Sequence, residues 1–298
     1  MYFGSVRFFK NMILLVVIIS ILIPTYTSFR YKAKYETLLE ETQLLPMSSR
    51  LIESYDYYND YSQLKIEPEV PEYQNKYPDF YAPQELNATE KASKTVYFTF
   101  DDGPSARTLE VLDILAQEDV KATFFVVGST NLPSKDIMKN IVEQGHTIAM
   151  HTYSHQYKKI YNSVDDYLDD MYQIFTLIKD TTGVTPTHFR FAGGSVNSYN
   201  HQVYQDIISE MLRRGFVPFD WNVASGDASN ILLSTNDIVN NVLTGIAKTD
   251  RAIVLMHDSL SRTTTVQALP IIIQTLKEQG YSFDKLTPQT KPVLFAYS

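Results

Sequence analysis

Val96-Tyr97-Phe98-Thr99-Phe100-Asp101-Asp102-Gly103-Pro104 is the stretch on which the fold turns. Its β-branched and aromatic residues favour a short buried strand. The strand stops abruptly at two adjacent carboxylates and an Asp-Gly-Pro turn. Two carboxylates at the lip of a sheet or barrel repel each other unless a cation or a shared proton relieves them. The pair is either the polar start of an ordinary turn or a metal ligand beside a base, and the rest of the chain must decide.

From about residue 95 onward, short apolar runs alternate with amphipathic segments. Strand-like runs fall at 96–100, 122–127, 147–150, 188–191, 216–219 and 252–256, with a weaker one near 281–283. Helix-like segments lie between them at 108–117, 135–144, 164–179, 202–213, 235–247 and 265–278. This alternation predicts an α/β fold with a parallel sheet and outer helices. Six or seven units predict a distorted (β/α) barrel of about seven parallel strands, with an open doubly wound sheet as the alternative. In such barrels the chemistry lies at the C-terminal ends of the strands. There the chain sets Asp101 and Asp102, His151, Arg190, Asp220 and Asp227, and His257. A lone histidine at a strand end reads as structural; polar groups at five strand ends together point to a site.

His151-Thr152-Tyr153-Ser154-His155 holds two imidazoles at i and i+4, which face the same way on a helical turn or a compact loop. One Asp oxygen would complete a three-ligand site with open positions, the pattern of a catalytic metal. Nitrogen and oxygen donors together suit Zn²⁺ and tolerate Co²⁺, Ni²⁺ or Mn²⁺.

The N-terminal third has another texture. Arg7 and Lys10 precede a nearly unbroken apolar run from Met12 to Pro24, which extended to Phe29 gives about 18 residues, marginally enough to cross a bilayer. Residues 1–30 are expected to be an uncleaved membrane anchor, with a cleaved secretory signal as the alternative. Residues 31–92, polar and Tyr-rich, are expected to form a stalk or linker, and 93–298 the catalytic domain. The chain has 298 residues, a net charge of −8 and no cysteine. No basic cluster suggests nucleic acid, and disulfides and thiolate metal sites are excluded.

Taken together these residues resemble the polysaccharide deacetylase family, carbohydrate esterases that share a homology domain with the nodulation chitooligosaccharide deacetylase. Thr99-Phe100-Asp101-Asp102-Gly103-Pro104 matches the first family motif, His151-Thr152-x-x-His155 the second, and Leu255-Met256-His257 the fifth. The likeness spans about residues 93–285. Two motifs depart. The third, usually Arg-x-Pro, reads Arg190-Phe191-Ala192-Gly193-Gly194; the fourth keeps Trp221 and an aspartate but has Ala228 where a second Trp is usual. Spacing aligns Asp227, rather than Asp220, with the motif aspartate.

The resemblance implies metal-assisted removal of N-acetyl groups from a sugar polymer. Asp102, His151 and His155 would hold the ion. Asp101 would be the general base, kept ionised and oriented by Arg190, and His257 the general acid, with its pKa raised by Asp227. A backbone N–H around Gly193 would hold the oxyanion, Leu255 would line the acetyl pocket, and Trp221 would wall the groove. With the anchor, the implied substrate is an extracytoplasmic N-acetylglucosamine polymer, first peptidoglycan and next poly-N-acetylglucosamine or chitooligosaccharide. The chain is expected to act as a monomer at the cell membrane. A weakly active wall-binding protein is the competing reading, motivated by Ala192 and Ala228.

Overall fold

The computed structural model describes residues 70–83, 94–129, 131–229 and 232–295. The anchor expected at 1–30 and residues 31–69 of the expected stalk lie outside them. Among the described residues no helix is long and apolar enough to cross a membrane.

Eight strands share one parallel sheet: β1 (Thr95–Asp101), β2 (Thr123–Val127), β3 (Thr147–Thr152), β4 (His188–Phe189), β5 (Val217–Pro218), β6 (Val223–Ala224), β7 (Arg251–His257) and β8 (Ser282–Phe283). The order is β5-β4-β3-β2-β1-β7-β6. β7 pairs along the whole of β1; β2 pairs with its last three residues, and β8 pairs at Thr95 and Val96. The sheet curls into an incomplete barrel, and β5 and β6 at its two ends are not paired with each other. The chain at 219–222 spans that interval, where the Asp220 N–H donates to the Val293 carbonyl. The expectation of about seven strands lacks β6, a two-residue strand with no apolar run to announce it.

Helices α1 (Ala106–Gln117), α2 (Leu132–Glu143), the single turn α3 (Tyr157–Ile160), α4 (Val164–Thr182), α5 (Tyr204–Arg213), α6 (Thr235–Ile246) and α7 (Thr263–Glu278) complete the fold. β1 is buried over its whole length because each of its faces meets a core. Val96, Phe98 and Phe100 join the large outer core with the helices. Tyr97 turns inward with Phe125, Ala149, Phe219 and Ile253. The same period of two sends Asp101, His151 and His257 to the inner face at the strand ends.

The compact unit begins at Val70 rather than at 93. Residues 70–83, placed by sequence in the stalk, are clamped by Arg214, whose buried guanidinium donates to the carbonyls of Tyr73, Lys76, Tyr77 and Phe80. Its Nε–H donates to Glu210 at 2.6 Å. Phe80 is fully buried against Phe175 and Phe216, and Tyr77 stacks on Tyr172 at 3.9 Å. Three aromatics at 73, 77 and 80 in a Pro-bearing polar stretch look like linker, since their partners lie over 90 residues away.

Candidate active site

β1 ends between the two aspartates, and this separates them. Asp101 is the last strand residue and points inward; Asp102 takes φ 74, a left-handed conformation that Asp tolerates better than most residues, and swings onto the lip. Gly103 follows because a Cβ there would collide with the Asp258 carboxylate. Asp258 is itself buried and braces the start of α1: Thr108 Oγ1 donates to its carboxylate at 2.5 Å, and Ser105 Oγ to its carbonyl at 2.6 Å. Burial pushes Asp258 up to about 7; the Thr108 bond opposes this, and the charges of Asp102 and Asp101 add to it.

Arg190 fills the inside of the barrel at the end of β4 and is fully buried. Its Nη1–H groups donate to Asp101 Oδ1 at 2.8 Å and Thr99 Oγ1 at 2.7 Å. Nε and Nη2 donate to the carbonyls of Phe219 and Asp220, and the guanidinium lies 4.1 Å from the centre of the Phe125 ring. Each guanidinium nitrogen is thus engaged, and Asp101 is held in one orientation. Burial raises Asp101 above the ordinary carboxylate range, and the charges of Arg190 and His257 oppose this without cancelling it. Arg190 acts in the ionising direction expected of it, and burial leaves Asp101 a stronger base than an ordinary carboxylate, the direction a general base needs.

His151 ends the inner face of β3. Its Nδ1–H donates to the Arg190 carbonyl at 3.0 Å, which leaves the Nε2 lone pair free. Burial pulls this imidazole down to about 3, against the pull of Asp102, so it is neutral at ordinary pH, the form that can donate to a metal. His155 follows on a compact loop rather than a helical turn, with φ 54. Asp102 Oδ1 lies 3.2 Å from His155 Nε2 and 3.6 Å from His151 Nε2. That oxygen is buried and has no hydrogen-bond donor. A buried carboxylate oxygen facing two imidazole nitrogens and no N–H or O–H fits a divalent cation, and the three residues' ligating atoms lie within 4.8 Å of one another.

The loop carrying His155 depends on a residue the sequence reading missed. Asp170, on the buried face of α4, accepts the Tyr153 N–H at 2.5 Å and the Ser154 N–H at 3.0 Å. An aspartate among Tyr167, Met171 and Ile174 on an apolar helix face was the available signal. Asp170→Asn, which cannot accept both N–H groups, is expected to weaken divalent-ion affinity by about 10- to 100-fold, read by calorimetric titration of the metal. An unchanged affinity would remove this role.

At the end of β7, His257 Nδ1–H donates to Asp227 Oδ1 at 2.7 Å. Asp227 Oδ2 accepts the His257 N–H at 2.9 Å and Thr265 Oγ1 at 2.8 Å. Burial opposes the imidazolium, but the bond to Asp227, its charge and those of Asp101 and Asp102 outweigh it and raise His257 to about 9. Asp220 does other work: with both oxygens it holds Ser195, and it also accepts the Phe295 N–H at 2.8 Å, fixing the loop after Gly193 and Gly194.

A cavity of about 340 Å³ opens over these groups. Asp101, Asp102, His151, His155, Gly193, Trp221, Leu255 and His257 line it, while Arg190 and Asp227 stand behind Asp101 and His257. Tyr157 and Arg262 also line it and were not anticipated. Of the two motif departures, Ala228 touches the cavity; Ala192 is buried, and its carbonyl accepts the Tyr161 O–H at 2.8 Å. His146 and His188 lie elsewhere, around a separate cavity with Lys285 and Leu286.

A carboxylate–imidazole cation site, a buried carboxylate base and an imidazolium acid in one cavity can together hydrolyse an amide or ester. Residues 88–211 match the sequence profile of the polysaccharide deacetylase family. The chain is 33% identical over 207 residues to a peptidoglycan-N-acetylglucosamine deacetylase of Bacillus cereus, covering 68% of this chain and 72% of that protein. It is 35% identical over 195 residues to the peptidoglycan-N-acetylglucosamine deacetylase PgdA of Listeria monocytogenes, covering 65% of this chain and 38% of the relative. Among solved structures, the catalytic domain of a peptidoglycan N-acetylglucosamine deacetylase from Eubacterium rectale superposes with a TM-score of 0.67 at 35% identity, covering 70% of this chain and 96% of that domain. On this identity and coverage, alongside the fold and the site, the chain belongs to the polysaccharide deacetylase family.

Proposed function

We propose that this deacetylase is metal-dependent and removes N-acetyl groups from N-acetylglucosamine residues of peptidoglycan outside the cytoplasm, releasing acetate. The observation that carries this reading is the orphaned Asp102 Oδ1 facing His151 and His155, within one cavity with Asp101 and His257. Asp102, His151 and His155 would hold the ion, Zn²⁺ first by donor type, with Co²⁺, Ni²⁺ or Mn²⁺ as substitutes. When bound, such an ion lowers the pKa of a coordinated water towards about 7 and polarises the acetyl carbonyl.

The rest falls to the chain's own groups. Asp101, fixed by Arg190, takes the proton of the attacking water. His257 gives its proton to the nitrogen of the departing amine, and Asp227 keeps it charged until then. A backbone N–H beside Gly193 steadies the developing oxyanion, a contribution worth about 3 kcal/mol for one such donor. Leu255 receives the acetyl methyl, and Trp221 walls the sugar. The substrate class is that named for the relatives from Bacillus cereus, Listeria monocytogenes and Eubacterium rectale. The apolar run at 12–29 supports attachment to the cell membrane, and the wall substrate of this reading puts the catalytic domain outside.

The test is acetate release from purified peptidoglycan by the full chain, before and after chelation. Release should vanish with chelator and return with a divalent ion. No acetate with any added divalent metal would end the enzyme reading in favour of a wall-binding protein.

A further inference from the structure

One cation in the catalytic cavity has no duty in the chemistry above. Arg262 lines the cavity with Trp221, Ala228, Leu255 and His257. It is half-buried, and its Nε–H is closed off from solvent with no acceptor. The other described arginines are all engaged. Arg190 and Arg214 bond carboxylates and carbonyls, Arg107 and Arg213 pair with Glu110 and Glu210, and Arg251 bonds the Lys291 carbonyl. Among the described arginines, the Arg262 guanidinium alone has neither a carboxylate nor a carbonyl partner; its backbone N–H donates to the Ser259 carbonyl. Thr264 Oγ1, two residues on, is likewise buried without a partner. Both residues sit at the start of α7, whose first turn has no side-chain cap.

Leaving such donors buried and unpaired is unfavourable unless something arrives to accept from them. Of the cavity's carboxylates, Asp101 is bound to Arg190, Asp227 to His257 and Thr265, and Asp102 Oδ1 faces His151 and His155; none of them bonds Arg262. Ala228 on the same cavity wall leaves room that a larger side chain would fill. A guanidinium offers two parallel donors matched to a carboxylate, which a neutral sugar hydroxyl does not exploit.

We infer that Arg262 is a specificity-determining residue that receives a carboxylate carried by the sugar chain next to the residue being deacetylated. The enzyme thereby favours an acidic glycan over a neutral polymer of N-acetylglucosamine. This rests on the deacetylase reading of the same cavity. The carboxylate has two sources in peptidoglycan, the lactyl ether of muramic acid once its peptide is removed and the acidic groups of the attached peptide.

The experiment compares kcat/KM for acetate release by the full chain on three probes of equal length. These are peptide-free glycan with its lactyl carboxylates, the same glycan with peptides attached, and neutral chitooligosaccharide. The wild type should prefer one or both acidic probes. Arg262→Gln should shrink that preference by about tenfold, chiefly through KM, as expected for a lost hydrogen bond to a charged group. Arg262→Lys should restore part of it, and Lys135→Gln, the same charge lost in the outer groove between α2 and α4, should leave it intact. The acidic probe whose preference falls identifies the source. A merely structural defect in Arg262→Gln would slow all three probes alike and keep their ratio, and that result overturns the inference while the deacetylase reading stands. No acetate from any probe with divalent metal present would overturn both.

Discussion

Asp101→Asn is expected to lower the rate of acetate release by about 10³-fold while leaving divalent-ion binding within about threefold of the wild type. An amide has nearly the shape of the carboxylate and can still accept from Arg190 Nη1, now at 2.8 Å, so the barrel interior should stay in place. It cannot take a proton from water. The variant also separates two roles that geometry leaves close together, because Asp101 Oδ2 lies 3.8 Å from His151 Nε2. If ion affinity falls with activity, Asp101 is a ligand as well as a base. If activity stays within about tenfold of the wild type, it is not the base. Calorimetric titration of the ion beside the acetate assay reads both.

Asp227→Asn is expected to cost about 10²-fold in kcat near pH 8 and distinctly less near pH 6. His257 stands at about 9 in the fold, above its ordinary 6.5. Its protonated form therefore stabilises the protein fully below about 6.5, and this contribution is lost as pH rises through about 9. Asp227 lies below its ordinary value: burial pushes it up, but the bonds and charge of His257 and the Thr265 bond outweigh that. Its contribution is present above the ordinary carboxylate pKa and fades as pH falls through the lowered one. With Asn at 227, burial acts on His257 with far less opposition, and its pKa falls. The basic limb of the pH–rate profile should move down by more than one unit, and the stability lost at neutral pH should shrink at pH 10. A basic limb that does not move would show that Asp227 does not set the charge of His257.

The sequence made the strand–helix order legible because each long strand is an apolar run and each helix has an apolar stripe. β6 was not legible, since Val223–Ala224 is defined by its pairing with Val254 and Leu255 rather than by its own composition. The six-residue interval from Trp221 selects Asp227 over Asp220, and the distances give the two aspartates separate tasks, one on His257 and the other on Ser195 and Phe295. Supporting groups were harder to see. Asp170 acts on backbone N–H groups of a loop, and Arg214 on four carbonyls, and backbone partners leave no mark in a sequence. Arg262 carried no motif; its environment singles it out.

The end of β1 between Asp101 and Asp102 has a consequence for folding fidelity. In a strand with an apolar layer on one side and an arginine on the other, a slip of one residue exchanges inside for outside. Phe100 would then face the Arg190 guanidinium, and Asp101 would enter the layer that Phe98 and Phe100 now share with the helices. Such a misregistered chain would bury an unpaired charge and take Asp101 out of the cavity in the same step. Hydrolytic activity thus doubles as a readout of strand alignment, and a preparation with full specific activity contains no appreciable fraction of slipped molecules.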